Sequence, residues 1–216
     1  RKGNTVYNTI LQYTPKKDRL IHRKLTPTYT ERLVWGSGDG STLDILETEY
    51  GNIGALTCWE HWMPLLRAAY HAQQEVIHIA QWPYVKELHQ NACRNYAFEG
   101  QCFVLASGCT LSKKQIKEGI ASHGNSDYIQ KALEMIDSIP TEDDEYLLRG
   151  GSAVIKPDHN YQIEPLYDEE GIYYADLNLK LCTEGNLFLD TDGHYSRPDV
   201  FTLSVDTREK KNVEFD

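Results

Sequence analysis

Apolar positions along the chain fall into short continuous runs separated by longer stretches with helical spacing. A β-branched and aromatic run at residues 6–13 and a second run at 19–24 predict two strands, and the polar, Pro-containing stretch at 14–18 predicts the turn of a hairpin between them. Further strands are predicted at 43–47 and 53–58, joined through Tyr50-Gly51-Asn52, and then at 75–80 and 102–107. After residue 58, Trp62, Leu65, Leu66 and Ala69 recur at helical spacing and predict a helix over 59–74; a second is predicted over 88–99. Strand, helix, strand, helix, strand at these intervals is an α/β layout.

Two stretches break the rhythm. Residues 25–41 hold Pro27 and then Gly36, Gly38 and Gly40 with charges between them, and read as a long ordered loop with at most one helical turn. Residues 110–148 are polar and charged, with two surface helices predicted at 113–120 and 128–136, and read as an insertion or outer helical layer. Strands are predicted at 151–156 and 172–177 with a turn at 157–160 between them, and a last strand runs up to Val205 before a charged tail at 207–216. There is no internal repeat and no linker, so residues 1–216 read as one domain of a size that can bury a substantial core.

Composition narrows the class. A formal net charge of -10 disfavours a nucleic-acid partner. No run of eighteen apolar residues is present, so no membrane partner is expected. The five cysteines, Cys58, Cys93, Cys102, Cys109 and Cys182, are odd in number and show no CxxC spacing; they read as reduced thiols of a cytoplasmic protein. No HExxH or paired-histidine spacing suggests a metal, and Gly36-Ser37-Gly38-Asp39-Gly40 lacks the strand-to-helix setting of a phosphate loop, so no cofactor is expected.

The candidate chemistry lies at Gly54-Ala55-Leu56-Thr57-Cys58-Trp59-Glu60-His61. A cysteine at the end of a buried strand, at the start of a helix, suits a nucleophile whose pKa the helix dipole lowers; it equally suits a small buried hydrophobe. A nucleophile also needs a base and a cation or donor for the developing charge. Lys24, Glu31 and the arginines Arg23 and Arg32 stand upstream as candidates; on its own, a Lys or Glu here reads more readily as a solvated surface charge.

Arg23-Lys24-Leu25-Thr26-Pro27-Thr28, Glu31-Arg32, Trp35-Gly36-Ser37-Gly38-Asp39-Gly40-Ser41, Cys58-Trp59-Glu60-His61-Trp62-Met63-Pro64-Leu65 and His78-Ile79-Ala80-Gln81-Trp82-Pro83 follow one another in an order and spacing that resembles the nitrilases of the carbon–nitrogen hydrolase superfamily. Phe98-Glu99-Gly100-Gln101-Cys102, Gly150-Gly151-Ser152-Ala153 and Gly193-His194-Tyr195-Ser196-Arg197-Pro198-Asp199 extend the resemblance over nearly the whole chain. It implies an α-β-β-α sandwich and a Glu-Lys-Cys triad in which Cys58 is the nucleophile, Lys24 the catalytic lysine and Glu31 a second glutamate supporting the lysine. The first glutamate, the general base, is expected on a segment preceding Lys24. The chain is therefore expected to be the C-terminal part of a carbon–nitrogen hydrolase domain, truncated at its N-terminus and lacking the first strand and helices.

The implied reaction runs from attack of Cys58 on a nitrile carbon through a thioimidate to a thioester and then a carboxylic acid, with ammonia released and no metal or organic cofactor. Trp59, Glu60, His61 and Trp82 are expected to line the substrate pocket, and Glu99 to orient Lys24 or the pocket. The implied partners are a small nitrile and further copies of the chain, as a dimer or a spiral filament. Cyanide hydratase or dihydratase is the near alternative; a catalytically incompetent chain that only assembles is the alternative of another class.

Overall fold

The computed structural model describes residues 3–14 and 19–211. Strands β1 (Thr9–Tyr13) and β2 (Arg19–Arg23) pair antiparallel, Thr9 opposite Arg23, as the predicted hairpin; residues 15–18 of its turn lie outside the described residues. Two single-turn 3-10 segments follow, Tyr29–Leu33 and Gly40–Thr42. Then come β3 (Leu46–Thr48), β4 (Gly51–Thr57), a 3-10 turn (Cys58–Trp62), α1 (Pro64–His71), β5 (Glu75–Gln81), α2 (Glu87–Glu99), β6 (Phe103–Ser107), β7 (Thr110–Ser112), α3 (Lys113–Ala121), α4 (Asp127–Asp137), β8 (Tyr146–Ile155), β9 (Tyr161–Tyr167) and α5 (Lys180–Gly185).

The main sheet runs β3-β4-β5-β6-β8-β7, with β9 also paired to β8. β4, β5 and β6 are parallel neighbours, as their βαβ connections through α1 and α2 require. Pleating sends Leu56, Ala80, Val104, Ala106, Ala153 and Ile155 to one face, where Leu66 and Tyr70 of α1 and Cys93, Tyr96 and Ala97 of α2 bury them. Each large apolar side chain fully buried there contributes roughly 1.5–3 kcal/mol. Ile77, Ile79, Leu105 and Val154 point to the other face and are half-buried. The fold is mixed α/β, with sheets and flanking helices.

Four expectations are corrected. The helix predicted over 59–74 is two pieces: Pro64 forces Met63 into an extended conformation (ψ 103°), which ends the 3-10 turn, and Pro64 then opens α1 at its first position. The strand predicted at 172–177 is irregular; β8 pairs instead with β9, an edge strand, which is how Pro165 is accommodated. No strand forms up to Val205: Phe201 and Leu203 line a surface cavity with Ala68 of α1 and Ala72 just past its end. The polar stretch 110–148 carries its two helices but also β7 and the first residues of β8.

The α3–α4 pair is held by a buried lysine. The Lys113 ammonium donates to the carbonyls of Asp137 (3.1 Å), Ile139 (2.9 Å) and Thr141 (3.0 Å), satisfying the C-terminal end of α4 and the turn after it. Lys113→Met removes those donors while keeping the apolar stem. It is expected to lower the opening free energy of α4 by about 1–3 kcal/mol, read as faster amide exchange in Asp127–Asp137 with exchange in β4 and β5 unchanged.

Candidate active site

Because β4, β5 and β6 run parallel, their carboxyl ends gather on one edge of the sheet, the edge where open α/β sheets place ligands. A cavity of about 400 Å³ lies there. Thr57 and Cys58 line it from the end of β4, Gln81, Trp82 and Pro83 from the end of β5, and Ser107 and Cys109 from the end of β6. Asn8 and Glu31 close it from the hairpin side.

Cys58 is the first residue after β4 and is buried. Its φ of +56° lies in the left-handed region, so the chain turns sharply as it leaves the strand. Lys24, the residue after β2, is 1% exposed. Its ammonium donates to Glu31 Oε2 at 2.6 Å and to Thr28 Oγ1 at 3.1 Å, so a buried cation has its counter-ion. Glu31 is set by its own turn: the Thr28 N–H donates to Glu31 Oε2 at 2.6 Å, the glutamate arm of a capping box. Burial pushes the Glu31 carboxyl up, but Lys24 and the Thr28 N–H outweigh it and hold the pKa below the ordinary glutamate value.

The same T-x-x-E device recurs at Cys58. Glu60 Oε2 accepts from the Thr57 N–H (2.9 Å) and Glu60 Oε1 from the Leu25 N–H (2.8 Å), with His22 Nε2 2.9 Å from the carboxylate and His22 Nδ1 3.0 Å from the Thr42 carbonyl. Glu60 is thus a brace between the residue before Cys58 and the residue after Lys24. It does not line the cavity, and neither does His61, which is buried behind Cys58 with Nδ1 2.7 Å from the Cys58 carbonyl. Trp82 lines the cavity as expected and stacks on His61 and His89. Trp59 is 48% exposed and is absent from the lining. Glu99 bonds Arg67 Nε at 2.5 Å and faces His71 at 3.3 Å, so its partners are on α1 and not Lys24. Asn8, Thr28, Gln81, Ser107 and Cys109 were not anticipated. The two capping boxes were readable from Thr28-x-x-Glu31 and Thr57-x-x-Glu60, and Gln81 and Ser107 from their place as last residues of adjacent parallel strands.

The expected lowering of the Cys58 pKa is reversed. Burial pushes the thiol above its ordinary value; Lys24 and the Trp59 N–H pull it down, and the Glu31 and Glu60 carboxylates oppose them. A single 3-10 turn has too few aligned peptides to restore the dipole effect that a long helix supplies. The thiol is therefore protonated at neutral pH and needs a base for attack. No group of three or more His, Cys, Asp or Glu arranged to hold a metal ion occurs among the described residues, and no helix among them is long and apolar enough to cross a membrane. Peptide-resolved alkylation by iodoacetamide across pH is expected to give Cys58 a midpoint above the ordinary thiol value of about 8.5; a midpoint below it would contradict the balance of burial and charge described for this site.

Residues 1–186 match the carbon-nitrogen hydrolase family. The chain is 38% identical over 213 residues to an aliphatic nitrilase of Sinorhizobium fredii (strain HH103), covering 99% of this chain and 64% of that protein. It is 37% identical over 216 residues to nitrilase 3 of Arabidopsis thaliana, covering 100% of this chain and 60% of that one. The chain thus spans about three fifths of the length of these relatives. Among solved structures, Saccharomyces cerevisiae Nit3, of branch 10 of the nitrilase superfamily, superposes with a TM-score of 0.64 at 17% identity, covering 89% of this chain and 60% of that one. A carbon-nitrogen hydrolase from Helicobacter pylori G27 superposes at 0.65 and 14% identity, covering 87% and 62%. The match in sequence over most of the chain, with the shared fold, establishes that this chain belongs to the carbon-nitrogen hydrolase family.

Proposed function

We propose that this chain carries the nucleophile, lysine and supporting glutamate of a nitrilase, which hydrolyses a small organic nitrile to a carboxylic acid and ammonia. The observation that carries the reading is the meeting of Cys58 with the buried Lys24–Glu31 pair at one cavity edge. Sulfur attacks the nitrile carbon, the C≡N bond loses one π bond, and the nitrogen takes up a proton to give a thioimidate. Lys24 is the fixed cation whose field favours the thiolate and whose N–H bonds serve the developing negative nitrogen. The first water adds to the thioimidate carbon; collapse expels ammonia and leaves a thioester, and a second water frees the acid and the thiol.

The thiol and both waters each need a proton acceptor. By resemblance that acceptor is a glutamate N-terminal to Lys24. Glu31 is the one carboxylate among the described residues lining the cavity, and its bond to Lys24 suits holding the ammonium in place. Trp82 and Pro83 give the substrate an apolar wall, while Asn8, Gln81 and Ser107 offer polar contacts. Dimer or filament assembly and a cytoplasmic site belong to the same proposal; the five unpaired cysteines suit a reducing compartment.

Ammonia release from one aliphatic and one aromatic nitrile tests the reading. In a form of the chain that carries the base glutamate, turnover of at least one is expected, falling to background in Cys58→Ala and by about 100-fold or more in Lys24→Met, the scale for loss of a group stabilising transition-state charge. Unchanged turnover in Cys58→Ala would overturn it.

A further inference from the structure

Behind Cys58 lies a run of buried titratable groups that the reaction does not use. His61 Nδ1 stands 2.7 Å from the Cys58 carbonyl, His61 Nε2 is 3.1 Å from His78 Nε2, and His78 Nδ1 is 2.8 Å from Glu75 Oε2. Glu75 Oε1 accepts from the Tyr96 hydroxyl and faces His71 Nδ1 at 3.3 Å. His61, His78 and Glu75 are all 3% exposed or less.

The partners dictate where the protons sit. The Cys58 carbonyl can only accept, so His61 Nδ1 carries a hydrogen. The two facing Nε2 atoms need one hydrogen between them, and the His78–Glu75 contact needs another. Glu75 accepts from Tyr96 and faces two imidazoles, while His61 touches no carboxylate and its carbonyl takes a hydrogen bond from Arg67. His61 is otherwise enclosed by the Trp82 and Tyr96 rings, and His78 by those of Tyr70 and Tyr96.

We propose that His61, backed by His78 and Glu75, is a positioning residue whose Nδ1–H bond to the Cys58 carbonyl holds the Cys58 backbone in its left-handed conformation. The contact to His78 through Nε2 fixes the His61 ring, and chained hydrogen bonds strengthen one another. That bond, made three residues along the same turn, opposes the cost of a non-glycine residue at positive φ. Gly54 makes room for the relay: a Cβ there would lie 1.8 Å from Glu75 Oε2 and 3.1 Å from His78 Nδ1. The residues act through Cys58 and do not line the cavity.

The inference rests on Cys58 as the nucleophile, and its test does not use nitrile turnover. Nitrogen-15 NMR of the histidine-labelled chain at about neutral pH is expected to show Nδ1 of His61 protonated. The rings are assigned through contacts to Tyr96 and Trp82. A His61 ring whose Nδ1 carries no proton would overturn the proposal. His61→Leu is expected to slow alkylation of Cys58 about tenfold, and His61→Asn, whose amide can still donate to the Cys58 carbonyl, to restore it to within about threefold, the scale of one buried hydrogen bond. Alkylation of His61→Leu at the wild-type rate, with the far-ultraviolet circular dichroism unchanged, would also overturn it. Should His61→Leu fail to fold, the NMR result on the unaltered chain decides alone. A chain with the expected ring protonation but no ammonia release would count against the nitrilase reading and leave the relay standing.

Discussion

The Glu60 carboxylate holds two backbone N–H groups from distant parts of the chain, Thr57 at the end of β4 and Leu25 just past β2. Those two residues flank Cys58 and Lys24, the proposed nucleophile and its lysine. Burying a carboxylate costs several kcal/mol unless it is paired and hydrogen-bonded. Here two N–H donors and His22 meet that requirement, and His22 is in turn tied to the Thr42 carbonyl. The distance between nucleophile and lysine is therefore set by a network inside the protein and not by the flexible length of either side chain. The hairpin β1–β2, which pairs only with itself among the described residues, is docked on the main sheet's active edge through this contact.

Around that brace the site is built in two shells with opposite characters. Facing the cavity are the Cys58 thiol, the Glu31 carboxylate and a few neutral polar groups, in a space large enough to admit a small molecule. Behind it, His61, His78, Glu75, Tyr96, His71 and Glu99 form a buried polar network that reaches the outer side of α1 through Arg67. Partly satisfied, such a network would destabilise the core; satisfied, it fixes one arrangement. The sharp turn at Cys58 lies where the two shells meet.

Much of this was legible in the chain itself. The continuous apolar run into Cys58 gave β4, and the alternation of strands and helices through Ser107 gave the parallel core, because a strand buried on both faces has to be apolar throughout. The motif order pointed to Cys58, Lys24 and Glu31; Cys58 and Glu31 line one cavity, and Lys24 is buried against Glu31. Less legible was the division of labour among the residues after Cys58. Trp59, Glu60 and His61 sit in consecutive positions, and a 3-10 turn sends them to solvent, to the brace and to the relay. The expected helix hid that divergence, although Pro64 marked where the helix could not extend. Likewise Glu99 sits in a stretch shared with the family, but α2 directs it toward Arg67 and His71 on α1, a contact between helices that sequence spacing does not encode. Strand β9 escaped notice because Pro165 argues against a strand unless the strand lies at an edge, and edge position is a property of the sheet.

Intact-mass and peptide-level spectrometry of the chain incubated with a reactive nitrile tests the central assignment most directly, since attack by sulfur precedes the steps that need activated water. The account predicts a single adduct equal to the whole mass of the nitrile, located on Cys58 and lost in Lys24→Met. An adduct located on Cys109, the exposed thiol of the same cavity, with Cys58 unmodified, would contradict it.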